Sequence, residues 1–233
     1  MSTRHQVGRR AMCAAMLGLG GSLILGDRAP AAERRPRILG AIHVPRLENA
    51  DFYQDGKFNE RAAKEAYLAM LKRASYPISD NLLKNLAVTD FALGRFLEVG
   101  LGVVIWISEK QWNYTTLDIF LLPNQVIPEH WHVALEDEKV APKMESWLVR
   151  WGASYIVGEG EPTAEPEVKI HPSEAPFLTV KKGKLYRVGE TAGITKPGEK
   201  HWQQAGPQGA IISEVSTYHS GAAVRFTNPK IKF

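Results

Sequence analysis

The hydrophobic pattern of the chain changes character twice. Residues 11–26 are an uncharged, largely apolar run; from Asn59 to Ala74 apolar positions recur at spacings of three and four. Beyond Ala87 they fall into short runs split by glycine, proline and asparagine. The middle segment reads as a helix capped by Asn59, with Ala63, Ala66, Tyr67, Met70 and Leu71 on its apolar face and Pro77 as its stop. A second short helix is predicted over Ser79–Leu86, with Asp80 near its start. The candidate strands are Val99–Ser108, Leu117–Leu122, Trp147–Trp151, Tyr155–Val157, Phe177–Val180, Leu185–Val188 and Ala210–Val215. Short strands with turn signals between them indicate a sandwich or barrel. The segment from Gly158 to Pro176 carries four prolines and reads as a surface loop. The expected class is mainly β: a barrel over residues 87–233, preceded by a linker and helical extension over residues 32–86.

The first apolar run reads as a removable leader over residues 1–31. Arg4, Arg9 and Arg10 precede it, no acid occurs before Asp27, and Ala29-Pro30-Ala31 offers a small-residue cleavage site. The Arg9-Arg10 pair resembles a twin-arginine leader. The expectation is a protein exported to the periplasm or beyond, with no membrane segment once the leader is removed. Charge then changes meaning. Residues 1–31 hold four of the 29 basic side chains and one of the 25 acidic ones, leaving 25 against 24. A nearly neutral remainder with no basic, aromatic-interleaved patch excludes nucleic acid as the expected partner. Cys13, the single cysteine, lies in the leader, so neither a disulfide nor a thiol nucleophile is expected in the remainder.

The candidate chemistry begins at His130-Trp131-His132. On a strand, residues two apart share a face, so both imidazoles look at one point while Trp131 looks away. Twelve residues separate His132 from Glu145, six separate Glu145 from Gly152, and Pro197-Gly198 later leads to His201. This order resembles the two cupin signatures, with Ala134–Pro142 as a loop insertion between the second histidine and the glutamate. Three imidazoles and one carboxylate suit a divalent first-row metal with open positions for substrate oxygens. Glu136, Asp137 and Glu138 are read as a solvated acidic loop, because only Glu145 is followed by a strand and a glycine. His219 is a second candidate ligand, whereas His43 and His171 lie in proline-flanked, loop-like contexts.

Several segments resemble the D-lyxose ketol-isomerase family of cupins more closely. They are Pro128–His132 with Lys143–Trp147, Lys200–Gly206, and Ser213–Thr217 followed by Arg225–Ile231. Tyr218, His219 and Ser220 stand where that family commonly carries acids. Thr115–Asp118 stand where it tends to carry a lysine. The resemblance implies a jelly-roll-like cupin barrel, a Mn²⁺-preferring aldose–ketose isomerase (Zn²⁺ and Fe²⁺ being alternatives), a small lyxose- or mannose-like sugar as substrate, and a homodimer. Such a reaction needs a base beside the carbons. Glu214, on the apolar strand Ala210–Ser213, is the candidate. Lys143 shares the face of Glu145 and is placed to bond hydroxyls or hand on a proton. Trp147 is read as a stacking surface, Gln203 as a hydroxyl partner and Arg225 as a closing group. A cupin dioxygenase and a non-catalytic carbohydrate-binding cupin are the competing readings.

Overall fold

The structure, a computed structural model, describes residues 47–163, 168 and 170–233. The expected leader and linker up to residue 46, together with part of the proline-rich loop, lie outside the described residues. A minimal hairpin, β1 (Tyr53–Gln54) and β2 (Lys57–Phe58), leads into α1 (Glu60–Arg73) and α2 (Asp80–Asn85). The strands β3 (Ala87–Thr89), β4 (Leu101–Glu109), β5 (Tyr114–Leu121), β6 (Val126–His132) and β7 (Glu145–Gly158) follow. The last strands are β8 (Lys182–Arg187), β9 (Thr191–Gly193), β10 (His201–Ser216) and β11 (Val224–Phe226). Among the described residues no helix is long and apolar enough to cross a membrane.

Helix α1 forms where the spacing predicts it. The Asn59 side chain accepts the Ala62 N–H at its start, and Ala63, Tyr67, Met70 and Leu71 are buried. They pack with Val104, Phe120 and Ile211 of β4, β5 and β10, so the helix covers one outer face of the sheet. Burying each large apolar side chain stabilises this docking by roughly 1.5–3 kcal/mol. Gly102 lets it come close, since a Cβ there would lie 2.7 Å from the Tyr67 ring. The helix stops before Pro77. Ser75 adopts φ +54°, and the Tyr76 N–H returns to the Leu71 carbonyl, a left-handed cap that ends the helix without proline.

The named strands all pair antiparallel, and the sheet curls on its long strands. β10 is the spine: its first residues pair with β6 and the end of β7, its last residues with β5 and the start of β7. β4 and β3 extend the β5 edge, β11 extends the β6 edge, and β8 and β9 pair with β7. Two differences from the sequence pattern have clear causes. Trp147–Trp151 and Tyr155–Val157 are one strand bent at a bulge, not two. At the bend Gly152 has φ +68°, and a Cβ there would sit 2.0 Å from the Gly209 carbonyl oxygen. Residues Phe177–Val180 form no strand. Ala175–Phe177 form a short 3₁₀ turn with Pro176 in it, and the N–H groups of Thr179 and Val180 go to the Glu129 carboxylate in place of a neighbouring strand. The barrel's second wall, β6 and β11, has too few alternating apolar positions to stand out in the pattern.

Candidate metal centre and active site

The two walls enclose a cavity of about 340 Å³. β6 points His130 and His132 into it, β10 adds His201 and Gln203, and the start of β7 adds Glu145 and Trp147. Trp131 lies outside, beneath the Lys200 ammonium 4.8 Å from its ring. His130 and His201 stand opposite each other in the β6–β10 register. Their Nδ1–H groups donate to the carbonyls of Pro128 and Glu199, each at 2.9 Å. A carbonyl only accepts, so these bonds select the tautomer that leaves Nε2 with its lone pair. Burial, with the nearby His201 and His132, holds the His130 pKa well below the usual histidine value and keeps the ring neutral.

The donors converge. One ligand atom from each of His130, His132, Glu145 and His201 lies within 4.8 Å of every other. Nε2 of His132 and Nε2 of His201 each stand 3.4 Å from a Glu145 carboxylate oxygen. Two ligands sharing an ion at about 2.1 Å, at right angles, are about 3 Å apart. Both nitrogens of His132 and Oε2 of Glu145 are buried without a hydrogen-bond partner. Polar atoms left this way cost about 1–3 kcal/mol each unless something else satisfies them. The donor set therefore fits a divalent cation. Burial opposes the Glu145 charge, but His201, Lys143 and His132 outweigh it and hold its pKa well below the usual carboxylate value. The acids Glu136, Asp137 and Glu138 are exposed in a turn closed between Leu135 and Val140, away from these donors.

Beside the cluster lies a second buried group of charges. Nζ of Lys143 donates to Glu145 at 2.9 Å and to Glu214 at 2.5 Å, while Nε1 of Trp147 donates to the other Glu214 oxygen at 3.1 Å. Trp147 and Glu214 are direct partners across the β7–β10 register. Burial disfavours the Lys143 ammonium, yet the two carboxylates more than compensate and raise its pKa above the ordinary lysine value. Lys143 is thus a standing donor rather than a free base. Trp147 packs against the His201 ring at 4.9 Å and positions Glu214.

Gln203 is buried with Oε1 unpaired at the cavity wall. Arg225 is not brought to the site. On β11 it alternates with Val224 and Phe226, which face the cavity, so Arg225 points outward and bonds the Ala222 and Val224 carbonyls. His171 lies elsewhere, bonded to Ser173.

His219 is in the cavity, its ring 5.8 Å from that of His132. It follows the end of β10, where strand alternation no longer predicts which way a side chain faces. Burial, then Lys143 and His132, push its pKa down to about 3 from 6.5. The unfolded chain protonates this ring below its ordinary pKa while the folded protein does not. Stability should therefore fall as pH drops from 6.5 toward about 3 and be unaffected by this group above that window. The loss attributable to His219 is about 2 kcal/mol near pH 5. Urea unfolding of metal-free protein at neutral pH and near pH 5 should show it, and His219→Asn should shrink the difference by about that amount. An identical pH dependence in the variant contradicts this.

No family model matches the chain. The D-lyxose ketol-isomerase of Cohnella laeviribosi is 33% identical over 172 residues, covering 74% of this chain and 92% of that protein. A D-lyxose ketol-isomerase from a Thermofilum species is 32% identical over 172 residues, covering 74% and 93%. Among solved structures, the L-ribose isomerase of Cellulomonas parahominis with L-ribose superposes with a TM-score of 0.57 at 14% identity, covering 72% of this chain and 90% of that one. The L-ribose isomerase of Acinetobacter sp. DL28 gives 0.56 at 16% identity, covering 74% and 92%. These structures share the fold, a cupin barrel. By the extent and identity of its match to the curated relatives, the chain belongs to the D-lyxose ketol-isomerase family.

Proposed function

We propose that the protein interconverts a small aldose, lyxose- or mannose-like, with its ketose by moving a proton between C2 and C1 through an enediol. The observation that carries this reading is the buried Glu214 carboxylate, held by Lys143 and Trp147 beside the histidine–glutamate cluster. Glu214 takes the proton from C2 and returns it to C1, so no atom is gained or lost. Lys143, with two of its three N–H groups held by Glu145 and Glu214, offers the third to the sugar oxygens while the hydroxyl proton passes from O2 to O1. Gln203 and neutral His219 offer partners to further hydroxyls. A divalent ion held by His130, His132, Glu145 and His201, Mn²⁺ in this reading, would polarise the carbonyl group. The curated relatives named D-lyxose ketol-isomerase support the substrate class.

The same reading has the protein working outside the cytoplasm, in line with the basic start, apolar run and Ala29-Pro30-Ala31 of its first residues. Mass spectrometry of native protein should find a chain beginning near Ala32; retention of residues 11–26 contradicts it. For the chemistry, Glu214→Gln should leave metal content and sugar affinity in place. Exchange of the C2 proton with solvent deuterium should fall by roughly 10²–10⁴. Unchanged exchange removes Glu214 as the base. Absence of exchange for every aldose in a broad panel, with metal bound to the unaltered protein, removes the isomerase reading and favours a carbohydrate-binding module.

A further inference from the structure

The cavity is chemically lopsided. Besides the four candidate metal ligands, the hydrogen-bonding side chains lining it are Lys143, Glu214, Trp147, Gln203 and His219. The first three are engaged with one another. Two side chains therefore remain for hydroxyls away from the reacting carbons. The wall that runs outward from Glu214 is hydrocarbon. In the strand register Glu214 stands opposite Leu117, and Leu117 opposite Ile105. One row along, Ile212 is followed by Ile119, Val103 and Ala87. Neighbouring strands are about 4.8 Å apart, so a sugar chain with C1 and C2 beside Glu214 ends one to two strands away, against these side chains. Leu117 and Ile119 are buried, and Ile105, at the rim, is 41% exposed. Across the cavity Ile127, Phe91 and Phe226 complete an apolar end.

A hydroxymethyl terminus brought against the buried Leu117 and Ile119 gives up water on that side and finds no side-chain donor or acceptor there, whereas a methyl terminus buries its surface. We infer that the preferred substrate is an ω-deoxy aldose, a sugar whose last carbon is a methyl group; this rests on the isomerase reading and specifies its substrate. Gln203 and His219 serve the middle hydroxyls, and the β4–β5 wall selects the end. Val103 and Ile119 are specificity-determining residues in this account and take no part in the proton transfer.

The test uses matched pairs that differ only at the last carbon: D-mannose against 6-deoxy-D-mannose, and D-lyxose against 5-deoxy-D-lyxose. With metal-loaded protein, kcat/KM for the deoxy member of each pair should be higher by about 10-fold, up to roughly 100-fold, the range over which an apolar pocket rejects an added hydroxyl. Val103→Thr puts a hydroxyl into the wall with little change of shape and should lower that ratio several-fold. Thermal melting and metal content would show that the variant is folded and loaded, and Ile105→Ser at the exposed rim should act in the same direction. Ratios of one or below, or ratios that neither variant moves, overturn the inference while leaving the isomerase standing. If no member of either pair exchanges its C2 proton, the isomerase reading falls and this inference with it.

Discussion

The site depends on a single ammonium group. Lys143 lies between Glu145 and Glu214 with almost no exposure to solvent, and its ammonium is ion-paired both to a carboxylate of the candidate metal cluster and to the candidate base. An unpaired buried charge costs several kcal/mol, so removing the lysine would leave two buried carboxylates facing each other. What holds the three charges together is strand register. Trp147 opposes Glu214 and Glu145 opposes Ser216 on β7 and β10, and Lys143 sits two residues before Glu145. A slip of one residue would turn every one of these side chains to the other face. The bulge at Gly152 and Gly209 bends both long strands and shifts their pairing between Ala205 and Ala210, with a second shift between Ile211 and Ile212, before the strands run in step from Ile212 to Ser216; no side chain fits at the bulge.

Much of this was legible in the chain. Alternation placed His130 with His132, and Lys143 with Glu145 and Trp147, on common faces. The helix α1 follows from its apolar spacing and its Asn59 cap. The single Gly152 after Glu145 marked a constraint that proves to be a bulge between two paired strands. What stayed hidden depends on partners distant in sequence. Residues 177–180 look like a strand until Glu129, about fifty positions away, takes their N–H groups. Arg225 looked available because nothing in its own segment says that Val224 and Phe226 own the inner face of β11. His219 lies past the end of a strand, where periodicity carries no information, and only the curl of the sheet brings it near His132.

Polarity within the cavity is divided in the same way as the strands. β6, β10 and β7, with Lys143 just before β7 and His219 just after β10, supply the titratable groups, while β4 and β5 supply hydrocarbon. The division has an electrostatic consequence. The apolar wall lowers the local dielectric around Lys143, Glu145 and Glu214, so each of their interactions is stronger than the same contact in water. It also keeps His130 and His219 neutral, the form in which imidazole binds a cation or accepts a hydrogen bond.

The central claim is that His130, His132, Glu145 and His201 hold one divalent ion next to the Lys143–Glu214 pair. Anomalous diffraction at the manganese edge, from crystals of the protein grown with Mn²⁺, tests it most directly. The account predicts one peak per chain at about 2.0–2.3 Å from a donor atom of each of the four residues, the range for nitrogen and carboxylate ligands of such ions. A peak held elsewhere, for example by the exposed acids Glu136, Asp137 and Glu138, with the four-residue cluster empty, would contradict it.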